Sequence, residues 1–310
     1  MQRREFLLAT AGLYWAGQSA ALAAGADTPA IAGPIVATRY GKLQGRTRNG
    51  VNVWKGIAYG ADTGGSNRFL PPQRPATWRG VRDAGSYGHP APQVYRSPTT
   101  FAYPAWVDAE TQSEDCLCLN VWAPTTPAPG PRPVMVWFHG GGYSRGSGGL
   151  PIYEGSHLAQ QGEVVVVTVN HRLNIFGYAH VAKGADERFA SAGNAGQLDL
   201  IAALEWVRDN IAGFGGDAGN VTIFGESGGG AKVSTLLGMP GAKGLFHKAI
   251  VQSGASTEVL ATEQGDGVAE RVFAHFGLKP GEVAKLQEVP TAALHDCFLQ
   301  LTGAQFAPVL

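Results

Sequence analysis

Five short stretches of the chain are apolar almost without a break: Leu117–Trp122, Val134–Phe138, Val164–Val169, Val221–Phe224 and Ala249–Val251. Strands covered on both faces need such runs, and parallel sheets sandwiched between helices are where they occur. Between the runs lie segments with a helical period. In Ala195–Ile211, Leu200, Leu204, Val207 and Ile211 share one face and Gly213 follows the end, so the spacing predicts an amphipathic helix. Buried strands alternating with such helices predict an α/β fold, with a mostly parallel sheet flanked by helices. Upstream, Ile35–Arg48 and Val51–Ile57 alternate apolar with polar residues between Gly turns, which predicts an antiparallel hairpin region. The stretch from Phe69 to Thr111 is rich in Pro, Gly and aromatics without a period, and reads as a long surface excursion. No internal repeat interrupts this order.

Composition narrows the function classes. Charged residues are 15% of 310 and apolar ones 44%, which excludes a disordered chain. Lys plus Arg equals Asp plus Glu at 24 each, with no long basic run, so there is no electrostatic footprint for nucleic acid. Three cysteines cannot build a disulfide scaffold, and no Cys-x-x-Cys or His-rich tract suggests zinc. Neither a metal nor a cofactor is expected. The first residues read as an address. Gln2-Arg3-Arg4-Glu5-Phe6-Leu7-Leu8 opens an apolar run that ends at Trp15 and leads to Ala21-Leu22-Ala23, a small-x-small cleavage pattern. The run is too short for a membrane anchor. The pattern resembles a twin-arginine signal over residues 1–23, which implies passage through the twin-arginine machinery to the periplasm or beyond. An ordinary secretory signal is the other reading, and either one makes residues 24–310 the exported protein.

Two segments match the nucleophile-elbow pattern Gly-x-Ser-x-Gly, and the 44 glycines make the pattern alone a weak sign. Context separates them. Ser227 sits between the apolar Val221–Phe224 and the helical Ala231–Leu237, the strand–turn–helix setting that exposes a serine hydroxyl. Ser144 lies in a glycine-rich stretch with no helix behind it and reads as a turn residue. A serine nucleophile also needs amide donors for the developing oxyanion. His139-Gly140-Gly141-Gly142 follows the run Val134–Phe138, where bare glycines let backbone N–H groups approach a substrate carbonyl. His139 precedes the serine, so chain order makes it a loop-ordering residue and not the base.

At this point a family resemblance is carried by specific residues. The stretch from Phe214 through Gly215-Gly216-Asp217-Ala218-Gly219-Asn220 to Gly225-Glu226-Ser227-Gly228-Gly229 resembles the serine signature of the type-B carboxylesterases. That family includes bacterial para-nitrobenzyl esterases and animal cholinesterases. Glu114-Asp115-Cys116-Leu117-Cys118-Leu119-Asn120-Val121-Trp122 resembles its second signature, with Cys118 where an aromatic is usual. Gly56-Ile57-Ala58-Tyr59, Arg68-Phe69, Trp78-Arg79-Gly80, Asn170-His171-Arg172-Leu173 and Gly193-Asn194-Ala195-Gly196 follow in the family's order, so the resemblance runs from about residue 35 to the end.

The resemblance implies an α/β-hydrolase fold and hydrolysis of carboxylic esters through a serine acyl-enzyme. It implies oxyanion donors at Gly141, Gly142 and Gly228. Glu226 would order water beside the nucleophile or serve as a buried hydrogen-bond anchor. Ser253 would support the hydrogen bonds of the triad or form a strand-end turn. Two departures stand out. No Cys precedes Cys116, and Cys116 and Cys118 are too close along one strand for a disulfide, so Cys116, Cys118 and Cys297 are expected to be thiols, with a pairing to Cys297 as the alternative. The second departure concerns the rest of the triad. After Ser227 the histidines are His247, His275 and His295, and none stands in a Gly-flanked loop after a strand. The resemblance implies that the acid and the His fall beyond residue 310, so the chain is expected to be a fragment lacking its C-terminal strands. A rewired triad using His295 is the alternative. An exported serine carboxylesterase is thus the first functional reading. A binding or adhesion domain on the same scaffold is the second, and amide or lactone hydrolysis is a third.

Overall fold

A turn at Asn49-Gly50, both with positive φ (47° and 75°), starts the sheet in the computed structural model, which describes residues 29–93 and 112–310. Two left-handed residues match the right-handed twist of a tight hairpin, and Asn-Gly supplies them at least cost. The turn joins strand β2 (Lys42–Arg48) to β3 (Val51–Ala58), and β1 (Ile31–Ala37) pairs antiparallel with β2. This is the expected hairpin region. The expected signal over residues 1–23 lies outside the described residues, as does 94–111 of the excursion. The described part of the excursion contributes a three-residue strand, β4 (Val81–Asp83), parallel to β2.

The apolar runs become β5 (Cys118–Pro124), β6 (Arg132–Phe138), β7 (Val165–Val169), β8 (Gly216–Glu226) and β9 (Lys248–Gln252). The nine strands form one sheet in the order β1-β2-β3-β5-β7-β6-β8-β9, with β4 beside β2. From β7 to β9 every pairing is parallel, and from β1 to β7 along this path every pairing is antiparallel. Six strands (β1, β3, β6, β7, β8 and β9) therefore share one direction, so the sheet is mixed but mostly parallel. Two details differ from expectation. β5 is buried at every position yet runs antiparallel to β7, because burial on both faces does not encode direction. β9 is mostly exposed because it occupies the sheet's edge.

Helices cover the sheet. They are α1 (Ser156–Gly162), α2 (Asn174–Tyr178), α3 (Ala195–Asn210), α4 (Gly228–Gly238), α5 (Thr262–His275), α6 (Val283–Glu288) and α7 (Thr291–Gln300). On α3, Leu200, Leu204 and Val207 are fully buried, as is Ile211 just past its end, and they join the core with Val134, Val136 and Ile223 from the sheet. A second core gathers Phe69, Ile175 and Phe176 with Val272, Phe273, Leu286 and Leu294 of the C-terminal helices. Arg68 ties that layer to the segment that leads into β5. Its guanidinium grips the Glu114 carboxylate (2.6 and 2.7 Å) and donates to the Gln287 carbonyl at 2.7 Å. Among the described residues no helix is long and apolar enough to cross a membrane.

Candidate active site

Strand β8 delivers Ser227 to the start of α4 through a backbone turn with φ 55° and ψ −124°. A non-Gly residue held at positive φ is strained, and the surroundings must enforce it. Here Ser227 N donates to the Gln252 carbonyl of β9 at 2.9 Å, and the Ser227 carbonyl receives Ala231 N at 3.0 Å. The flanking glycines are steric necessities. A Cβ on Gly225 would sit 2.5 Å from the Gly229 carbonyl carbon, and one on Gly229 would sit 2.0 Å from the Phe138 oxygen. Ser144 has no such setting. Its hydroxyl donates to Gly141 O at 3.3 Å within an irregular turn.

The glycine loop after β6 faces the elbow. Gly141 and Gly142 take φ of 90° and 62°, and a Cβ on Gly228 would lie 2.4 Å from the Gly142 Cα. Gly142 and Gly228 therefore touch backbone to backbone, and a Cβ on Gly140 would lie 3.6 Å from the Ser227 Cβ. Gly141, Gly142, Ser144, Arg145, Glu226 and Ser227 line one open cavity of about 550 Å³. A larger cavity of about 820 Å³ lies among α4, β9 and Pro308–Leu310 and contains none of these residues. The small cavity is the chemically equipped one, so the site is placed there. The half-buried Glu226 carboxylate lies near Gly140 and makes no hydrogen bond among the described residues.

The histidines are accounted for elsewhere. His247 Nδ1 accepts from Val221 N at 3.1 Å, His275 packs on Phe276, and the half-buried His295 stacks on Phe298. None lines the cavity with Ser227. His139 is buried below the loop, with Nδ1 2.9 Å from Gly140 O and its ring stacked 4.7 Å from that of His171. Burial, and then the nearby Lys232 charge, hold both imidazoles well below their ordinary pKa. Ser253 is exposed at the end of β9 with φ 51°, and a Cβ on the next residue, Gly254, would meet Ser227 O at 2.1 Å. The segment thus braces the elbow from below. Cys116, Cys118 and Cys297 are buried free thiols, and burial pushes Cys118 up to about 12 and Cys297 to about 11.

Sequence reasoning missed three features around the site. Arg172 and Asp199 form a buried ion pair (2.6 and 2.9 Å) that locks the segment after β7 onto α3. His171 stacks under the glycine loop, and Lys232 reaches that loop from α4 with no exposed surface. All are pairings across long sequence separations, for which a single sequence carries no signal.

With this geometry in place, comparison with known proteins is direct. Residues 32–307 match the carboxylesterase family. The chain is 47% identical over 271 residues to a para-nitrobenzyl esterase of Bacillus subtilis, covering 87% of this chain and 54% of that protein. It is 43% identical to human carboxylesterase 3 over 241 residues, 75% of this chain and 41% of that one. A carboxylesterase structure from Geobacillus stearothermophilus superposes with TM-score 0.80 at 43% identity, covering 89% of this chain and 55% of that one. A thermophilic PNB esterase gives 0.81 at 44%, covering 89% and 57%. The chain spans about half the length of the curated relatives it matches. These solved structures and the sheet described above make its architecture the α/β-hydrolase fold, and the chain belongs to the carboxylesterase family.

Proposed function

We propose that this chain carries the nucleophile and the oxyanion donors of a serine carboxylesterase. One observation carries the reading: Ser227, held at positive φ between β8 and α4, shares a cavity with Gly141 and Gly142, and Gly142 abuts Gly228. In the reaction Ser227 Oγ attacks the ester carbonyl and gives its proton to a base. The carbonyl oxygen becomes an oxyanion that accepts from the N–H groups of Gly141, Gly142 and Gly228. Collapse of the tetrahedral adduct breaks the C–O bond, the alcohol leaves with a proton, and water later hydrolyses the acyl-enzyme. Glu226, bordering the same cavity, orders that water. The reading assigns no base, since no imidazole lines the cavity. A small-molecule ester is the partner. Arg3-Arg4 and the apolar run after them support export by the twin-arginine route, with the mature protein periplasmic or secreted.

Reaction with a fluorophosphonate tests the assignment. Ser227 Oγ displaces fluoride and forms an O–P bond, and mass spectrometry then locates the adduct. A single adduct on the Ser227 peptide, lost in Ser227→Ala and retained in Ser144→Ala, is expected. An adduct that survives Ser227→Ala would refute the reading.

A further inference from the structure

Lys232 is a buried cation to which the reaction above gives no task. It lies one turn into α4, has no exposed surface, and donates from Nζ to the His139 carbonyl at 2.9 Å. Burial alone accounts for its lowered basicity, and among the described residues no carboxylate compensates its charge. A lone buried ammonium is costly, so a chain that keeps one holds it in a specific contact. The groups around it offer little else. The loop after β6 presents His139 and, 5.8 Å from Nζ, the ring of Tyr143. The segment after β7 presents His171, which feels the Lys232 charge. Helix α3 presents Gln197, whose Nε2 donates to the Lys232 carbonyl at 3.4 Å. Asp199 on the same helix is engaged by Arg172.

The contact joins two halves of one site. Gly141 and Gly142 hang from β6 through the His139–Gly140 peptide, whereas Gly228 begins the helix that carries Lys232. These halves meet at Gly142 and Gly228 with no slack, since even a Cβ would stand 2.4 Å from the opposite backbone. His139 is held from its other side as well, where Nδ1 lies 2.9 Å from Gly140 O; that contact assigns the ring hydrogen to Nδ1 and leaves Nε2 without a partner among the described residues. A change in the grip on the His139 carbonyl therefore reaches the donors directly.

We propose that Lys232 is a positioning residue for acyl transfer: its charged amine, by holding the His139 carbonyl, sets the spacing between the Gly141–Gly142 and Gly228 donors, and it relaxes that spacing on losing its proton. The proposal rests on the esterase reading for its catalytic consequence, while the clamp itself does not. Burial lowers the amine from 10.5 to about 7, so the change falls in the neutral range. The sign follows from hydrogen-bond strength. Below that point the bond is charge-assisted, and above it a neutral amine is the weaker donor.

Two measurements on the full chain test this separately. With ¹⁵N-glycine and ¹³Cε-lysine labels, the Gly141, Gly142 and Gly228 amides should titrate with the midpoint of a lysine signal that Lys232→Met removes. In that variant the three amides should stay flat. The rate of phosphonate capture at Ser227 should be about ten-fold higher in the wild type than in Lys232→Met at pH 6, less than the 10²–10³ expected for deleting an oxyanion donor. The ratio should shrink towards one at pH 8.5. A purely structural lysine would give a ratio independent of pH, and that result overturns the proposal. So do wild-type glycine amides that ignore the lysine midpoint, a test that needs no folded variant. Should the phosphonate label a residue other than Ser227 while the amides titrate, the esterase reading falls and the clamp stands.

Discussion

Replacing Lys232 by Met should make the protein more stable in mild acid and change little in mild alkali. The folded amine titrates at about 7 against 10.5 for a free one, so folding at pH below 7 forces a charge into a site that disfavours it. A depressed lysine pKa means that the unfolded chain binds the extra proton between these values, so the wild-type stability rises with pH across that window. The gap between these two values corresponds to about 5 kcal/mol. Between pH 6 and pH 9 the same two values give a change of about 3 kcal/mol from this one group. Met fills a similar volume without charge but leaves the His139 carbonyl unpaired, at about 1–3 kcal/mol independent of pH. The two costs nearly cancel at pH 9, whereas at pH 6 the variant should be ahead by about 2–4 kcal/mol. Urea unfolding followed by tryptophan fluorescence at both pH values measures this, and every other titrating group drops out of the difference between the two proteins. Parallel pH dependences, with the variant–wild-type difference changing by less than about 0.5 kcal/mol, would show that Lys232 does not titrate in this range and refute the argument.

Other expectations follow from the same contacts. Gly229→Ala puts a Cβ 2.0 Å from the Phe138 oxygen, so phosphonate capture should drop by about two orders of magnitude or more, as reacting groups displaced by an ångström do. Gly238→Ala on the same helix meets nothing within 4 Å and should leave capture unchanged. Asp199→Asn strands the buried Arg172 guanidinium and should cost about 3–5 kcal/mol in urea unfolding, with Arg172→Met added to it restoring part of the loss. The twin-arginine proposal predicts that Arg3→Lys with Arg4→Lys leaves uncleaved precursor in the cytoplasm, whereas normal processing would point to the general secretory route.

The parts of the fold legible in the sequence are those whose cause is local. Ala195–Ile211 announces α3 because four core residues repeat with the period of the helix they make. Runs such as Val164–Val169 announce buried strands because β-branched residues suit a pleated surface covered on both sides. What such a run omits is its neighbour. Ala249–Val251 reads like the others, yet among the described residues β9 pairs only with β8 and Ile250 is 43% exposed, since composition is the same whether one partner strand is present or two. The direction of β5 and the existence of β4, whose three residues are all exposed, are lost for the same reason.

The site divides along the same line. Ser227 and its glycines could be found because the requirement is met within five residues: a sharp turn excludes side chains whatever surrounds it. Lys232 lies five residues further on and gave no sign. In a helix beginning Gly-Gly-Gly-Ala-Lys, a lysine among small residues reads as the solvated face, and lysines are almost never fully buried. Its environment comes from His139, 93 positions earlier, from the loop holding His171 and from α3. None of these is visible from the neighbouring residues. An elbow motif therefore marks a candidate nucleophile, but the groups packed around its glycine loop emerge only when strand ends far apart in the chain are brought side by side. For this reason the Lys232 clamp is testable through the glycine amides even without a substrate: the spacing it controls belongs to the backbone of β6 and α4, and the proton that controls it belongs to neither motif.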